Sequence, residues 1–465
     1  NQQQGATQSS TGALIASSLR LISTGNVAGS FSLGTSTLND VDTLAAQTSG
    51  AVTFKDLDTL TVGSISGSSG IAAMAGISTW SGVADSAPVS ITTGGNLTVN
   101  QAIDTRRVGS SISVGTVTLN SAGIMVLTGS GNITSDGLVQ LTASSGIQTD
   151  ADITTTNDNV TLVSATTLTG AVAIDTGSGA GTIAFNNTLN GGQNLTLSAG
   201  TGNIDFDAAV GNTARLGTLT IASAANLTAD STVSAANIVQ QAGSGTTTFL
   251  GAVNANTAAG VSIAGTNLQI TGSVTTTGNG VVTINNTGTV VSAATGDIIA
   301  DGAVSITAAG GVQAAGNITT TNDNVTLVSP TTLTGAVAIN TGSGAGTIAF
   351  NDTLNAGQNL TLTAGTGNID FDAAVGNTAR LGILTIVSAN DVTADSAINA
   401  ASIVQQAGSG TTTFSGTVNT NTADGVSITG THLQVAGRVT TTTGGVVIVN
   451  NSGTAIFSAA GDISA

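Results

Sequence analysis

Apolar and polar residues alternate in short runs along the chain. In residues 194–198 and 261–263 an apolar side chain occupies every second position, which is the period of a β-strand with one buried face. β-Branched residues are abundant in these runs, and Gly-, Asn- and Ser-rich clusters such as residues 176–181 separate them. No amphipathic helical period of useful length interrupts the pattern. The alternation therefore predicts an all-β protein built from many short strands.

A longer period is superimposed on this alternation. Counted back from residue 457, the phenylalanines lie at intervals of 43, 43 and 21 residues, so a large apolar residue recurs about every 21 positions. One turn of a solenoid produces such a period, because each residue stacks on its equivalent in the next coil about 4.8 Å away. We predict a parallel β-helix, or β-solenoid, with about 21 residues per coil. Its interior column is expected to contain Phe185, Phe206, Leu227, Phe249, Phe350, Phe371, Val392, Phe414 and Phe457.

The chain also contains an internal duplication. Residues 154–217 return as residues 319–382, shifted by 165 positions and differing at five of them. Similarity then weakens but keeps the same register to the end of the chain. We expect one continuous solenoid rod of roughly 22 coils. Its predicted sections are a divergent N-terminal section (1–130) and two repeat copies (131–295 and 296–465).

The differences between the copies indicate which positions face inward. Apolar residues exchange for apolar residues, as in the pairs Leu227/Val392 and Ile270/Val435. Polar positions change freely, and the single histidine, His432, replaces an asparagine. Packing tolerates only volume-conserving apolar exchange in a core. We therefore expect the exchanged apolar residues to be buried and the variable polar positions to lie at the surface.

Composition excludes several classes of function. Charged residues make up 7% of the chain, against about a quarter in a typical domain, and the net charge is −17. Because the chain is acidic and has no Lys/Arg clusters, nucleic acid and anionic membranes are poor partners. No apolar run approaches the roughly 18 residues of a membrane helix, so we expect no membrane insertion. Cysteine is absent, which suits a solenoid whose continuous core needs no disulfides.

Three runs relate the chain to a known family: residues 40–46, 94–100 and 115–120. There the chain resembles the filamentous-haemagglutinin-like repetitive surface proteins of bacteria. The resemblance implies a secreted, right-handed parallel β-helix that serves as an extracellular fibre, filament subunit or adhesin stalk at the bacterial cell surface. It implies partners of two kinds: copies of the chain joined end to end, or glycans and proteins of a host or neighbouring cell surface.

The alternative is a carbohydrate-binding or polysaccharide-acting β-helix. Such enzymes cluster carboxylates and basic residues on one face of several coils. His432 and Arg438 replace Asn267 and Ser273 of the other copy, so neither belongs to a site that both copies share. There is no catalytic cysteine, Gly-x-Ser-x-Gly elbow, zinc spacing or phosphate loop. We expect no enzymatic activity, no catalytic residue and no organic cofactor.

One constellation could hold Ca²⁺. If the phenylalanine of each Asn-Ile-Asp-Phe-Asp segment points inward, the Asn and both Asp side chains share the outer face and offer oxygen ligands. The candidate ligands are Asn203, Asp205, Asp207, Asn368, Asp370 and Asp372. The competing interpretation is a solvated acidic face, paired with Arg215 and Arg380. Clusters of Thr suggest an ice-binding surface more weakly, because they do not recur on every coil.

The C-terminal residues carry an expectation about assembly. Residues 461–465 match residues 296–300 at four of five positions, and after residue 300 another copy of the repeat follows. An uncapped end coil exposes unpaired strand edges and an open core. We therefore expect head-to-tail contact that continues the β-helix into an open filament.

Overall fold

A computed structural model describes residues 5–23, 29–67, 70–79, 86–106 and 115–465. Within these ranges the protein is all-β, with 57 strands and no helix. The strands pair in parallel register, except for one short antiparallel pair, and the chain coils into a β-solenoid of about 20 turns at about 22 residues per turn. The predicted fold class is confirmed.

The chain forms two compact units. The first comprises residues 1–235 and 241–244, and the second comprises residues 236–240 and 245–465. The strands of the first unit are β1 Ala6–Thr7, β2 Ile15–Ile22, β3 Phe31–Leu33, β4 Asp40–Gln47, β5 Val52–Asp56, β6 Leu60–Val62, β7 Ser64–Ile65, β8 Met74–Ala75, β9 Ile77–Ser78, β10 Val89–Thr93, β11 Leu97–Val99, β12 Ile103–Asp104, β13 Val117–Ser121, β14 Met125–Leu127, β15 Ile133–Ser135, β16 Val139–Ala143, β17 Ile147–Thr149, β18 Ile153–Thr155, β19 Val160–Leu162, β20 Thr166–Leu168, β21 Val172–Asp175, β22 Ile183–Phe185, β23 Leu189–Asn190, β24 Leu195–Ser198, β25 Ile204–Phe206, β26 Leu216–Ser223 and β27 Leu227–Ala229.

Strand β28, Val233–Gln240, contributes residues to both units. The remaining strands of the second unit are β29 Thr246–Phe249, β30 Val253–Ala255, β31 Val261–Gly265, β32 Asn267–Ile270, β33 Val274–Thr276, β34 Val282–Asn286, β35 Val290–Ser292, β36 Ile298–Ala300, β37 Val304–Ala308, β38 Val312–Ala314, β39 Ile318–Thr320, β40 Val325–Leu327, β41 Thr331–Leu333, β42 Val337–Asn340, β43 Ile348–Phe350, β44 Leu354–Asn355, β45 Leu360–Thr363, β46 Ile369–Phe371, β47 Leu381–Ser388, β48 Val392–Ala394, β49 Ile398–Gln405, β50 Thr411–Phe414, β51 Val418–Thr420, β52 Val426–Gly430, β53 His432–Val435, β54 Val439–Thr441, β55 Val447–Asn451, β56 Ala455–Phe457 and β57 Ile463–Ser464.

Each full turn supplies one strand to each of three stacks. In the first unit, the first stack is β1-β3-β5-β10-β13-β16-β19-β22-β25-β27, and the other two both start on the long strands β2 and β4, after which one continues through β6 and the other through β9. In the second unit, the first stack begins at β29 and ends at β57, the second runs from β30 to β55, and the third runs from the end of β28 through β31 to β56. Alternate residues of the strands face the core and are buried, as period-two alternation predicts.

The predicted interior column is correct in part. In the second unit Phe350 and Phe371 are in register and their rings stack with centroids 5.3 Å apart, and Phe185 and Phe206 of the first unit stack at 5.5 Å. Phe249 is buried in the second unit, in register with Ile270. All eight candidates other than Phe457 are buried.

Two column assignments are wrong by two residues. Phe371 is followed in its column by Ala394 and then by Phe414, whereas Val392 lies in the neighbouring inward column, in register with Ile369. The same shift places Leu227 in register with Ile204. The prediction assumed equal coils and took the midpoint between phenylalanines, but coil lengths differ. A slip of two residues keeps a side chain on the same face, so both remain buried.

Phe457 is in register with Val435, which is in register with Phe414 of the predicted column, but the Phe457 side chain is 41% exposed. Strand β56 pairs with β53 on one side, and no described strand covers its other side. An inward-facing ring in such a coil has a neighbour on one side only. Phe457 therefore belongs to the predicted column, and its ring is exposed because no described strand covers this coil.

The duplication does not span a whole number of turns. Seven turns after β29, its stack has reached Ile398 at the start of β49. The equivalent strand β50 is the next strand along the chain and lies in the third stack, because the long strand β49 contributes to both the first and the second stack. The 165-residue repeat therefore corresponds to seven and two-thirds turns. Within the second unit, equivalent surface positions of the two copies lie on different stacks.

Candidate functional site

The two Asn-Ile-Asp-Phe-Asp segments lie on β25 and β46. The ring of Phe206 faces the core, so Asp205 is on the outer face and half-buried, while Asp207 is exposed. The second copy places Asp370 and Asp372 in the same way. The predicted alternation of these segments is confirmed.

The acidic side chains crowd one another along the outer face. Burial raises the pKa of Asp205, and the charges of Asp207 and Asp230 raise it further, while a hydrogen bond from Thr228 opposes the shift. Burial is also the largest cause that raises the pKa of Asp370. Each carboxylate therefore costs free energy to ionise in the folded protein.

Asn203 uses its amide oxygen for another purpose. Its Oδ1 accepts hydrogen bonds from the backbone N–H of Asn226, at 3.2 Å, and from the Asn226 side chain, at 3.0 Å. Asn368 makes the equivalent bond to the backbone N–H of Asp391, at 3.1 Å. In both segments the asparagine caps the next coil and does not reach across to the two carboxylates.

This capping bond recurs at many corners of the solenoid. A side-chain oxygen accepts from a backbone N–H of the following coil, which satisfies a donor that a turn would otherwise leave unpaired. The other residues that do this include Asn96, Asn132, Asp152, Asn159, Asn190, Asn194, Asn267, Asp297, Asn317, Asn324, Asn355, Asn359 and Asp391. The asparagines and aspartates that accept these bonds therefore have a structural role: they hold one coil to the next.

His432 takes the place of an asparagine cap. The Oδ1 of Asn267 accepts from the backbone N–H of Thr289 at 2.9 Å, and the Nδ1 of His432 accepts from the backbone N–H of Thr454 at 3.1 Å. Nδ1 can accept only when it carries no proton. The sequence suggested that this polar position changes freely between the copies, but the exchange of Asn267 for His432 preserves the hydrogen bond to the backbone of the next coil.

Among the described residues, no group of three or more acidic, histidine or cysteine side chains is placed to hold one metal ion. The structure brings Asp205 close to Asp207 and Asp230, but it directs the oxygen of Asn203 to the next coil. Ca²⁺ binding by these residues stays a prediction that the geometry does not favour.

The expected pairing of Arg380 with the acidic face is wrong. Its guanidinium donates to the backbone carbonyls of Ala400, at 3.0 Å, and Asn419, at 2.6 Å. Arg215 makes the matching bond to the carbonyl of Ala235. In the described part of the chain, the ion pair that forms joins Arg106 to Asp104 at 3.0 Å, between exposed side chains. Trp80 and Arg107 lie outside the described residues.

Sequence reasoning missed a buried carboxyl. Asp56 is 1% exposed, its Oδ1 accepts from the backbone N–H of Val41 at 3.0 Å, and its Oδ2 accepts from that of Asp58 at 3.3 Å. Burial outweighs these bonds and raises the pKa of Asp56 to about 6. The signal that could have found it is an inward position at the end of an alternating strand.

Comparison with known proteins gives no relative. No family model matches the chain, and no curated protein and no solved structure matches it either. None of the described residues forms a helix with the length and hydrophobicity that a membrane crossing needs. What is established about this chain is its architecture, a parallel β-solenoid of about 20 turns.

Proposed function

We propose that the chain is a structural element of an extracellular bacterial fibre or adhesin stalk. The observation that supports this proposal is the contrast between the two faces of the strands. Positions that exchange apolar residues between the copies are buried, as for Leu227/Val392 and Ile270/Val435. Exposed positions change charge, as for Ala259/Asp424. A scaffold requires a maintained core and tolerates a drifting surface.

The polar side chains support the same proposal. The corner asparagines and aspartates accept backbone N–H groups of the next coil, and Arg380 binds two backbone carbonyls. These groups stabilise the coil-to-coil contact. In a solenoid each coil contacts only its neighbours, so the stability of the array depends on such contacts.

The partner we propose is a second copy of the chain. The coils of the second unit pair in parallel and in register, as β31 pairs with β34 and β34 pairs with β37. Among the described residues, β55 pairs with β52 and with no second strand. Two copies of the chain carry the same coil pattern, so an edge strand of one copy can pair with an edge strand of the other in the same parallel register.

Light scattering and electron microscopy test this proposal. The unaltered chain is expected to gain mass with concentration and to form filaments. Val449→Lys places an inward-pointing charge on the edge strand and should abolish the gain. Ile299→Lys is the matched control, because Ile299 is an exposed apolar residue on the outer side of β36 and 45% exposed. A chain that stays monomeric at all concentrations would contradict end-to-end assembly.

A second measurement separates the structural role from the enzymatic alternative. The unaltered chain is expected to release no products from acidic or neutral polysaccharides. Release that disappears in a variant carrying Asp205→Asn and Asp207→Asn would overturn the structural role in favour of catalysis.

A further inference from the structure

One corner of the first unit changes length between successive coils. The inward residues Leu141 and Ile147 are in register with Leu162 and Thr166 of the next coil. The corner between them therefore loses two residues from one coil to the next. The following coil keeps the short corner, which ends at Leu189. A recess lies where the corner shortens, and residues of all three successive corners line it.

This recess, which we call the ledge cleft, has a volume of about 440 Å³. Such a volume lies within the range of small-molecule sites. Four hydroxyl groups and one carboxamide line it, and no lining residue is charged. The lining residues are Thr142, Ala143, Ser144, Ser145, Gly146, Val163, Ser164, Ala165 and Asn187.

The polar groups of the ledge cleft keep hydrogen-bonding capacity. Ser144 and Ser145 are exposed, and no hydrogen bond among the described residues uses their hydroxyls. Ser164 accepts the backbone N–H of Ala143 at 2.9 Å, and the Oδ1 of Asn187 accepts the backbone N–H of Thr188 at 2.8 Å. These two bonds fix both side chains and leave the hydroxyl proton of Ser164 and the NH₂ group of Asn187 available as donors.

The second copy keeps the frame of this corner. Ser329 accepts the backbone N–H of Ala308 at 2.8 Å, as Ser164 does for Ala143. The same shortening occurs there, because Ile306 is in register with Leu327 and Val312 is in register with Thr331.

The lining of the corner differs between the copies. Ala309 and Gly310 replace the two exposed serines, Pro330 replaces Ala165, and Asp352 replaces Asn187. Five positions differ between residues 154–217 and 319–382, and two of the five line this cleft. The frame is retained while the side chains that could contact a ligand change.

We propose that the ledge cleft of the first unit binds a neutral saccharide. A sugar presents several hydroxyls that both donate and accept, which matches an array of hydroxyls and one carboxamide. The absence of charge among the nine lining residues favours a neutral over an acidic sugar. Saccharide binding goes beyond the proposed structural role, because that role depends on core packing and assembly and not on this cleft.

The test uses the full chain and an array of neutral gluco-, galacto- and manno-oligosaccharides, followed by calorimetry with those that bind. Replacing both Ser144 and Ser145 with Ala should weaken binding roughly 10- to 30-fold, because each neutral hydrogen bond contributes about a factor of five. Asn187→Asp, which introduces the residue of the second copy, should also weaken binding.

Ser178→Ala is the matched control, because Ser178 is an exposed corner serine outside the cleft, and it should leave binding unchanged. All four serine and asparagine positions are exposed, so the variants should fold normally, as circular dichroism will show. A chain that binds none of these oligosaccharides, or a double-serine variant that binds them equally well, would overturn the proposal. Neither result would bear on filament formation.

Discussion

Phe371→Ala removes the ring at the centre of the second unit's aromatic column. The Phe371 side chain is 1% exposed and stacks on Phe350 with an interplanar angle of 9°. The next residue in the column is Ala394, followed by Phe414. The substitution would place two alanines in adjacent coils between two phenylalanines. Backbone hydrogen bonds fix the spacing of the coils, so the core cannot collapse to fill the space.

The expected loss is about 4–5 kcal/mol. Truncation of a buried Phe to Ala costs roughly 3–5 kcal/mol, a range that already includes the loss of contacts with neighbouring side chains such as the Phe350 ring. The upper part of the range applies because the neighbouring alanine offers no side chain to fill the cavity. Adding Ala394→Phe to the same chain refills the column from the next coil, and should recover about half of the loss.

Native-state hydrogen exchange of the amides of β43, β46 and β48 measures the effect where it occurs, since coils contact only their neighbours. Phe206→Ala is the matched variant in the first unit, where Phe206 likewise stacks on a phenylalanine and is followed in register by Ala229. A loss below about 1 kcal/mol, or a further loss on adding Ala394→Phe, would refute the packing argument.

Three further predictions concern polar side chains. The pKa of Asp56 is raised from 3.8 to about 6 in the folded protein. As pH rises, the carboxyl therefore loses its proton at a lower pH in the unfolded chain than in the folded protein. The first unit should therefore lose up to about 3 kcal/mol of stability as pH rises from about 4 to about 6, and Asp56→Asn should flatten this part of the pH profile. His432→Ala should speed hydrogen exchange at the Thr454 amide about fivefold, for a loss of about 1 kcal/mol, whereas His432→Asn should preserve protection. If the Thr454 amide exchanges at the same rate in both variants, His432 does not cap the next coil. Arg380→Ala should cost about 1–3 kcal/mol in thermal unfolding because two carbonyls lose a charged donor, and the exposed Arg438→Ala should be neutral. Equal losses in the two arginine variants would contradict the carbonyl contacts.

The sequence by itself determined the strands and their stacking. Alternation with period two depends only on which residues are apolar, and a repeat of about 21 residues can bury those residues only by coiling. The phenylalanine spacing therefore located the interior columns to within two residues. It could not locate Ala394 or Ala229 in them, because a small residue leaves no signal where coils differ in length.

Only the tertiary structure decided what the polar side chains do. Whether an asparagine such as Asn203 caps the next coil or faces Asp205 depends on which backbone N–H lies above it. The number of residues in each corner sets the register of successive coils, and the register determines which backbone N–H lies above each asparagine. No local sequence pattern predicts that register. The contacts of Arg380 with carbonyls, the burial of Asp56 and the ledge cleft follow from the same register. Apolar burial is insensitive to shifts of two residues, whereas a hydrogen bond requires its partner within about 3 Å, so the core was readable from the sequence and the polar contacts were not.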